Sequence, residues 1–424
     1  MSSEPQKEVR RRRVFYIPGY DPIHPRRYRE LYRRESAAQA TISGYEIGIL
    51  AMDAGGENYA WHVRALVDGR PVEADIEVLV WSDIVRHSMS NSIPATYLQL
   101  LRTAWVYIST GALWGLMKLR KGPVIAALYP IGMLLGQLAL AVLFFWVVAT
   151  AIGMGVGMIE RVIWPGAWFT PLFWPTIIVA LAAGVAAAIM LLRWFKRRDG
   201  KFFAYYLMHD YAYSASSRGA NPPELEARLA SFADTIGNAL ETDADEVLVV
   251  GHSSGVHLAV SILADLIRQG RVTGQGPALS FLSLGQVVPM VSFLPEAHRL
   301  RADLRYLSAR EELTWVDVTA PGDGCAFALC DPVSVSGVAP EDKRWPLVFS
   351  AAFTQSLSPE RWKELRWRFF RLHFQYLCAF DRPKDYDYFQ ITAGPMTLGA
   401  RYAGRPPSRS LIDRAVSKYT SVAP

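Results

Sequence analysis

The chain has 424 residues and a net charge of +6; 51% of its residues are hydrophobic and 20% charged. That balance, with a positive mean hydropathy, excludes both a disordered chain and a wholly membrane-embedded one. Basic runs at 10–13, 26–34, 118–121 and 193–198 lack the aromatic interleaving of an RNA-binding sheet, so nucleic acid is excluded as the expected partner.

In chain order, residues 14–17 read as a short strand that ends in Pro18-Gly19. A basic amphipathic helix is expected at 25–40. Strands follow at 45–52, 61–67 and 76–81, rich in β-branched and aromatic residues. Two uncharged stretches, 122–159 and 162–192, come next. About 20 apolar residues cross a bilayer core, so each is long enough for one membrane helix, at about 124–149 and 170–192. The segment 153–157, rich in glycine, predicts that the first helix ends near Thr150. Trp164, Trp168 and Trp174 then fall where an interface belt is expected.

Lys118, Arg120 and Lys121 flank one outer end of this hairpin; Arg193, Lys196, Arg197 and Arg198 flank the other. The positive-inside rule places both ends, and the polar bulk of the chain, on the cytoplasmic side, with a 150–168 loop opposite. The expected location is therefore a multi-pass membrane protein whose partner is the lipid bilayer, with anionic headgroups beside the basic flanks.

Beyond the hairpin, a helix is expected at 222–240 with Asn221 as its cap. A strand at 247–250, a helix at 256–268 and strands at 279–284 and 313–318 complete the pattern. The alternation predicts an α/β fold with a mostly parallel sheet and helices on both faces. Residues 1–93 and 201–424 are expected to form its two parts, with 94–200 inserted as the membrane hairpin. The basic 401–414 tail reads as a solvated face. Cys325, Cys330 and Cys378 form neither a CxxC pair nor an even framework, so reduced thiols are expected.

The most informative stretch is Val247-Leu-Val-Val250 followed by Gly251-His252-Ser253-Ser254-Gly255. A strand running into G-x-S-x-G and then a helix can form a sharp turn that presents the serine hydroxyl at the sheet's C-terminal edge. Here the chain resembles the α/β-hydrolase superfamily of lipase-like and esterase-like enzymes, over about 14–84 and 202–388. The resemblance implies Ser253 as nucleophile, followed in chain order by an acid and then a histidine.

His257 is too close to Ser253, and His298 precedes the strand expected to deliver the acid, which leaves His373. For the acid, Asp323 lies beyond a Pro-Gly turn after that strand, ahead of Asp317 within it and Asp331 further on. The oxyanion donors implied are the backbone of Ser254 and of Gly19 and Tyr20, after the first strand.

No HExxH, clustered carboxylates, Walker A or dinucleotide fingerprint is present, so no metal and no cofactor is expected. The expected activity is hydrolysis of a hydrophobic or lipid-derived ester through an acyl-serine. An acyltransferase using the same triad, and a non-catalytic membrane scaffold or lipid-binding protein with a hydrolase-like domain, remain open. Substrate identity and oligomeric state stay open as well.

Overall fold

A computed structural model describes residues 8–52, 59–89, 92–166 and 170–424. It divides into two compact units. One comprises Met1–Ser88, Trp105–Ala126 and Tyr213–Pro424; the other comprises Met89–Ala104 and Ala127–Ala212. Residues 105–126 thus group with the sheet, rather than with the expected 94–200 insertion.

Among the described residues, the first unit is built on eight strands: β1 (Arg11–Ile17), β2 (Glu46–Ala51), β3 (Tyr59–Val67), β4 (Arg70–Val78), β5 (Glu246–His252), β6 (Ala278–Leu284), β7 (Leu313–Thr319) and β8 (Leu347–Ser350). Their order is β2-β3-β4-β1-β5-β6-β7-β8. The run from β4 to β8 is parallel, and β2 and β3 extend it as an antiparallel hairpin. The fold is therefore α/β with a mostly parallel sheet, as the alternation predicts.

Both faces of the central strands are buried, which explains their near-continuous apolar runs. Val14, Tyr16, Leu248 and Val250 turn to one face. There they meet Tyr28 and Tyr32 of helix α1 (Arg26–Ser43), and Tyr376 and Tyr388 from the C-terminal third. Helices α2 (Ser82–Ser88), α3 (Ile93–Ser109) and α4 (Ala112–Leu119) follow β4.

The largest departures from the sequence reading lie in the apolar region. Helix α5 runs unbroken over Lys121–Ile163, 43 residues, and α6 over Phe173–Arg197. The first helix does not end near Thr150. Each glycine lowers helix propensity by only about 1 kcal/mol, too little to stop a helix. The stop is Trp164-Pro165-Gly166, where Gly166 takes φ +82°. At about 1.5 Å per residue α5 is about 65 Å long, and the expected 150–168 loop shrinks to the residues after Ile163. Trp168 lies outside the described residues.

Both helices are long and apolar enough to cross a membrane. Within the second unit, Gly184 of α6 packs against Phe145 of α5 so closely that a β-carbon there would lie 2.7 Å from the ring. Leu134 of α5 joins a cluster with Leu100, Tyr205 and Met208.

After the short helix α7 (Asp199–Phe202), α8 (Ala204–Ser216) leads to α9 (Pro223–Ala239) and α10 (Gly255–Arg268). The cap of α9 is Pro222, with no side-chain bond. Asn221, one residue outside the cap, instead donates to Glu226 Oε1 at 2.9 Å. Helix α10 packs on β5 and β1, between α9 and the helix His298–Ser308.

The 401–414 segment is tied down rather than solvated throughout. Ile412 exchanges backbone bonds with the 329–331 segment, at 2.7 and 2.9 Å, and Arg401 donates to Gln390.

A fully buried ion pair stitches the base of the sheet. Arg12 Nε on β1 donates to Glu246 Oε2 on β5 at 2.6 Å, with both side chains at zero exposure. The guanidinium also donates to the Gly394 and Met396 carbonyls, while Glu246 Oε1 accepts from Ser280 and from Leu398 N–H. Every arm of the pair thus has a partner, and removing one side strands a charge in the core. Arg12→Met is expected to lower stability by about 3–5 kcal/mol, with the double variant Arg12→Met/Glu246→Met losing less. Thermal unfolding of the detergent-solubilised proteins checks this; equal losses would show that the charge is not what holds the base together.

Candidate active site

Ser253 has φ +56°, a left-handed conformation that a residue with a β-carbon rarely adopts. Its position explains the strain. Strand β5 runs out at His252, Ser253 N–H donates to the Leu284 carbonyl of β6 at 2.9 Å, and α10 begins at Gly255. That first turn presses on the end of β1: a β-carbon at Gly255 would sit 2.1 Å from the Ile17 carbonyl oxygen. Only glycine fits, so the backbone reverses sharply and Ser253 is left half-exposed on the rim.

The loop after β1 lies directly against the serine. A β-carbon at Gly19 would approach Ser253 Cβ to 3.0 Å and Oγ to 3.4 Å. Two side chains fix this loop: Trp81 Nε1 donates to the Pro18 carbonyl at 2.9 Å, and the Tyr20 hydroxyl bonds Ser88 Oγ at 2.6 Å. The backbone N–H groups of Gly19 and Ser254 donate to no acceptor among the described residues. Two amides beside a serine hydroxyl are the donors that an oxyanion needs.

Asp323 follows β7 and His373 follows β8, and the structure joins them. His373 Nδ1 lies 2.7 Å from Asp323 Oδ2, and both residues are buried. Tyr376 adds a donor to the same oxygen at 3.1 Å while its hydroxyl accepts from Ala320 N–H; Cys325 N–H donates to Oδ1 at 2.9 Å. Burial alone would raise the Asp323 carboxyl, but the facing imidazole and these donors bring it below the ordinary carboxylate value. An ionised carboxylate requires the proton on Nδ1, which leaves Nε2 of His373 as a base.

His252 buttresses this arrangement. Its Nε2–H donates to the His373 carbonyl at 3.0 Å, with the two rings 4.8 Å apart. Burial, and next the neighbouring imidazole, lower its pKa to about 3, so it stays neutral. No hydrogen bond among the described residues joins Ser253 Oγ directly to His373. His252, next to the serine in sequence, is bonded to the backbone carbonyl of His373.

The two other aspartates have different work. Asp331 caps the turn Pro332–Val335 and pairs with Lys343 at 2.6 Å. Asp317 points into the sheet, where Ser283 Oγ donates to Oδ1 at 2.6 Å. Asp323, Cys325 and His373 each offer one potential ligand atom within 4.8 Å of the others. Both Asp323 oxygens already accept hydrogen bonds, so a cation there would have to displace them. Tyr376 was missed in the sequence, although its i,i+3 spacing from His373 would set both on one face of a helical turn.

Burial pushes Asp317 up to about 8, with Ser283 opposing and Asp331 adding to the shift; its Oδ2 has no hydrogen-bond partner among the described residues. The folded chain therefore keeps a proton that the unfolded chain loses near the ordinary value of 3.8. Stability from this group is complete below about pH 4, falls as pH rises, and levels above about pH 8. Melting temperatures measured across that range are expected to fall for the wild type and to flatten for Asp317→Asn. A variant with the wild-type slope would assign the effect to another group.

Comparison with known proteins found no matching family model, no matching curated protein and no matching solved structure.

Proposed function

We propose that the chain is a membrane-anchored serine hydrolase of the α/β-hydrolase type that cleaves a hydrophobic or lipid-derived ester. The observation that carries the proposal is the left-handed Ser253 at the β5–α10 turn, in the same sheet unit as a buried Asp323–His373 pair. Nucleophile, acid and histidine follow β5, β7 and β8, in the chain order of that superfamily.

In this reading Ser253 Oγ attacks the ester carbonyl as His373 Nε2 takes its proton. The N–H groups of Ser254 and of the Gly19–Tyr20 loop hold the oxyanion. His373 returns the proton to the leaving alcohol. Water, deprotonated by the same nitrogen, then releases the acid from acyl-Ser253. Asp323 stays ionised throughout and stabilises the imidazolium.

Membrane anchorage rests on α5 and α6. In each, the most apolar 18-residue window is 17% buried, whereas the core helix of a soluble domain would be mostly covered. Basic residues at 118–121 and 193–198 favour the cytoplasmic side for the sheet unit.

A fluorophosphonate probe tests the chemistry. The solubilised wild type is expected to label, Ser253→Ala to give no label, and Asp323→Asn and His373→Ala to label at least about a thousandfold more slowly. Folded wild type that resists the probe, or labelling that survives Ser253→Ala, would sink the proposal. Adding alcohol acceptors to the substrate reaction separates hydrolysis from acyl transfer.

A further inference from the structure

The stretch before His373 has an unusual surface. Trp367 is 72% exposed and Phe369 47% exposed, large apolar side chains left in the open. They alternate with Arg366 and Arg368, and Arg371 completes the set. Over 359–371 there are five cations and two carboxylates. Glu364 is shared among Arg361, Arg368 and Arg371, which leaves the local charge positive. Exposed aromatics among arginines fit a lipid–water interface, where rings enter the acyl boundary and guanidinium groups meet anionic headgroups.

The foot of α5 lies at the same place. A β-carbon at Gly324 would lie 3.2 Å from the Phe369 ring, and one at Gly122, in the first turn of α5, would lie 3.4 Å from Gly324 Cα. The loop carrying Asp323 is thus held between the exposed aromatic segment and the start of the long apolar helix. Just before that helix, α4 exposes Trp114 and Met117, and Lys118 and Lys121 add charge.

We infer that the 366–371 segment docks onto an anionic phospholipid surface and so holds the Asp323–His373 side of the site at the headgroup layer. The occupant is the bilayer that α5 enters, and substrate reaches Ser253 from that leaflet. This inference rests on the reading of α5 and α6 as membrane helices, and its test separates the two.

The full chain is reconstituted in nanodiscs of phosphatidylcholine, alone or mixed with phosphatidylglycerol. Photocrosslinking p-benzoylphenylalanine is placed in turn at Trp367, at Leu143 in α5, and at Leu66, which lies at the opposite end of the sheet beside the start of β4. Lipid adducts are read by mass. The expected result is an adduct at 367 comparable with that at 143, at least about tenfold above that at 66, stronger with phosphatidylglycerol, and reduced by R366Q/R368Q/R371Q.

An adduct at 143 with only background at 367 would overturn the inference and leave the membrane reading standing. So would a protein adduct at 367. Equal yields in the two lipids would overturn its charge component, and no adduct at 143 would remove the membrane reading and this inference with it.

Discussion

The close approach of β1 to the first turn of α10 is the constraint from which the rest of the site follows. With the Ile17 carbonyl against Gly255, where no β-carbon fits, the chain leaves β5 through Ser253 in the left-handed conformation. The same approach brings the loop after β1 onto the serine, so one packing event sets both the hydroxyl and the neighbouring amides. Strain of order 1–3 kcal/mol at such a residue persists only where its surroundings over-determine it. Here the buried strands on either side do so.

The second organising theme is how one strand and its loop hold two acids in opposite states. Asp317 and Asp323 are both buried, and burial opposes ionisation of each. Asp317 meets one hydroxyl and stays protonated, whereas Asp323 meets an imidazole, a phenol and a backbone amide and is held ionised. Number and kind of donors, rather than depth, decide the outcome. His252 extends the logic, since its neutrality lets it buttress the His373 backbone without placing a second positive charge beside the imidazole.

Much of this was legible in the sequence because it depends on local chemistry. The apolar run 247–250 followed by Gly-His-Ser-Ser-Gly dictates a strand, a tight turn and a helix, and the chain order that the α/β-hydrolase resemblance implies leaves His373, which the structure sets against Asp323. Asp323 could be preferred over Asp317 because a residue beyond a Pro-Gly turn reaches the sheet's edge while one inside a strand faces a layer of core. Tyr376, the anchoring of the loop after β1 by Trp81, and the tethering of Ile412 were not legible, since each joins residues distant in sequence. The length of α5 departs from the expectation for another reason: the glycines at 153–157 are weak helix breakers, and the Trp164-Pro165-Gly166 stop is the stronger signal.

The placement of the apolar helices within the chain also bears on assembly. Strands β1 and β5 are neighbours along their whole length, yet Arg12 and Glu246 are separated by 234 residues, with α5 and α6 between them. At roughly 5–20 residues per second of synthesis, β1 waits on the order of ten seconds or more for its second partner. During that wait β4 can cover one edge of β1, while the other stays bare and prone to mispairing. The apolar helices emerge in that interval, so β1 and β5 pair only after both helices have been made. Any delay in making them prolongs the exposure of the β1 edge.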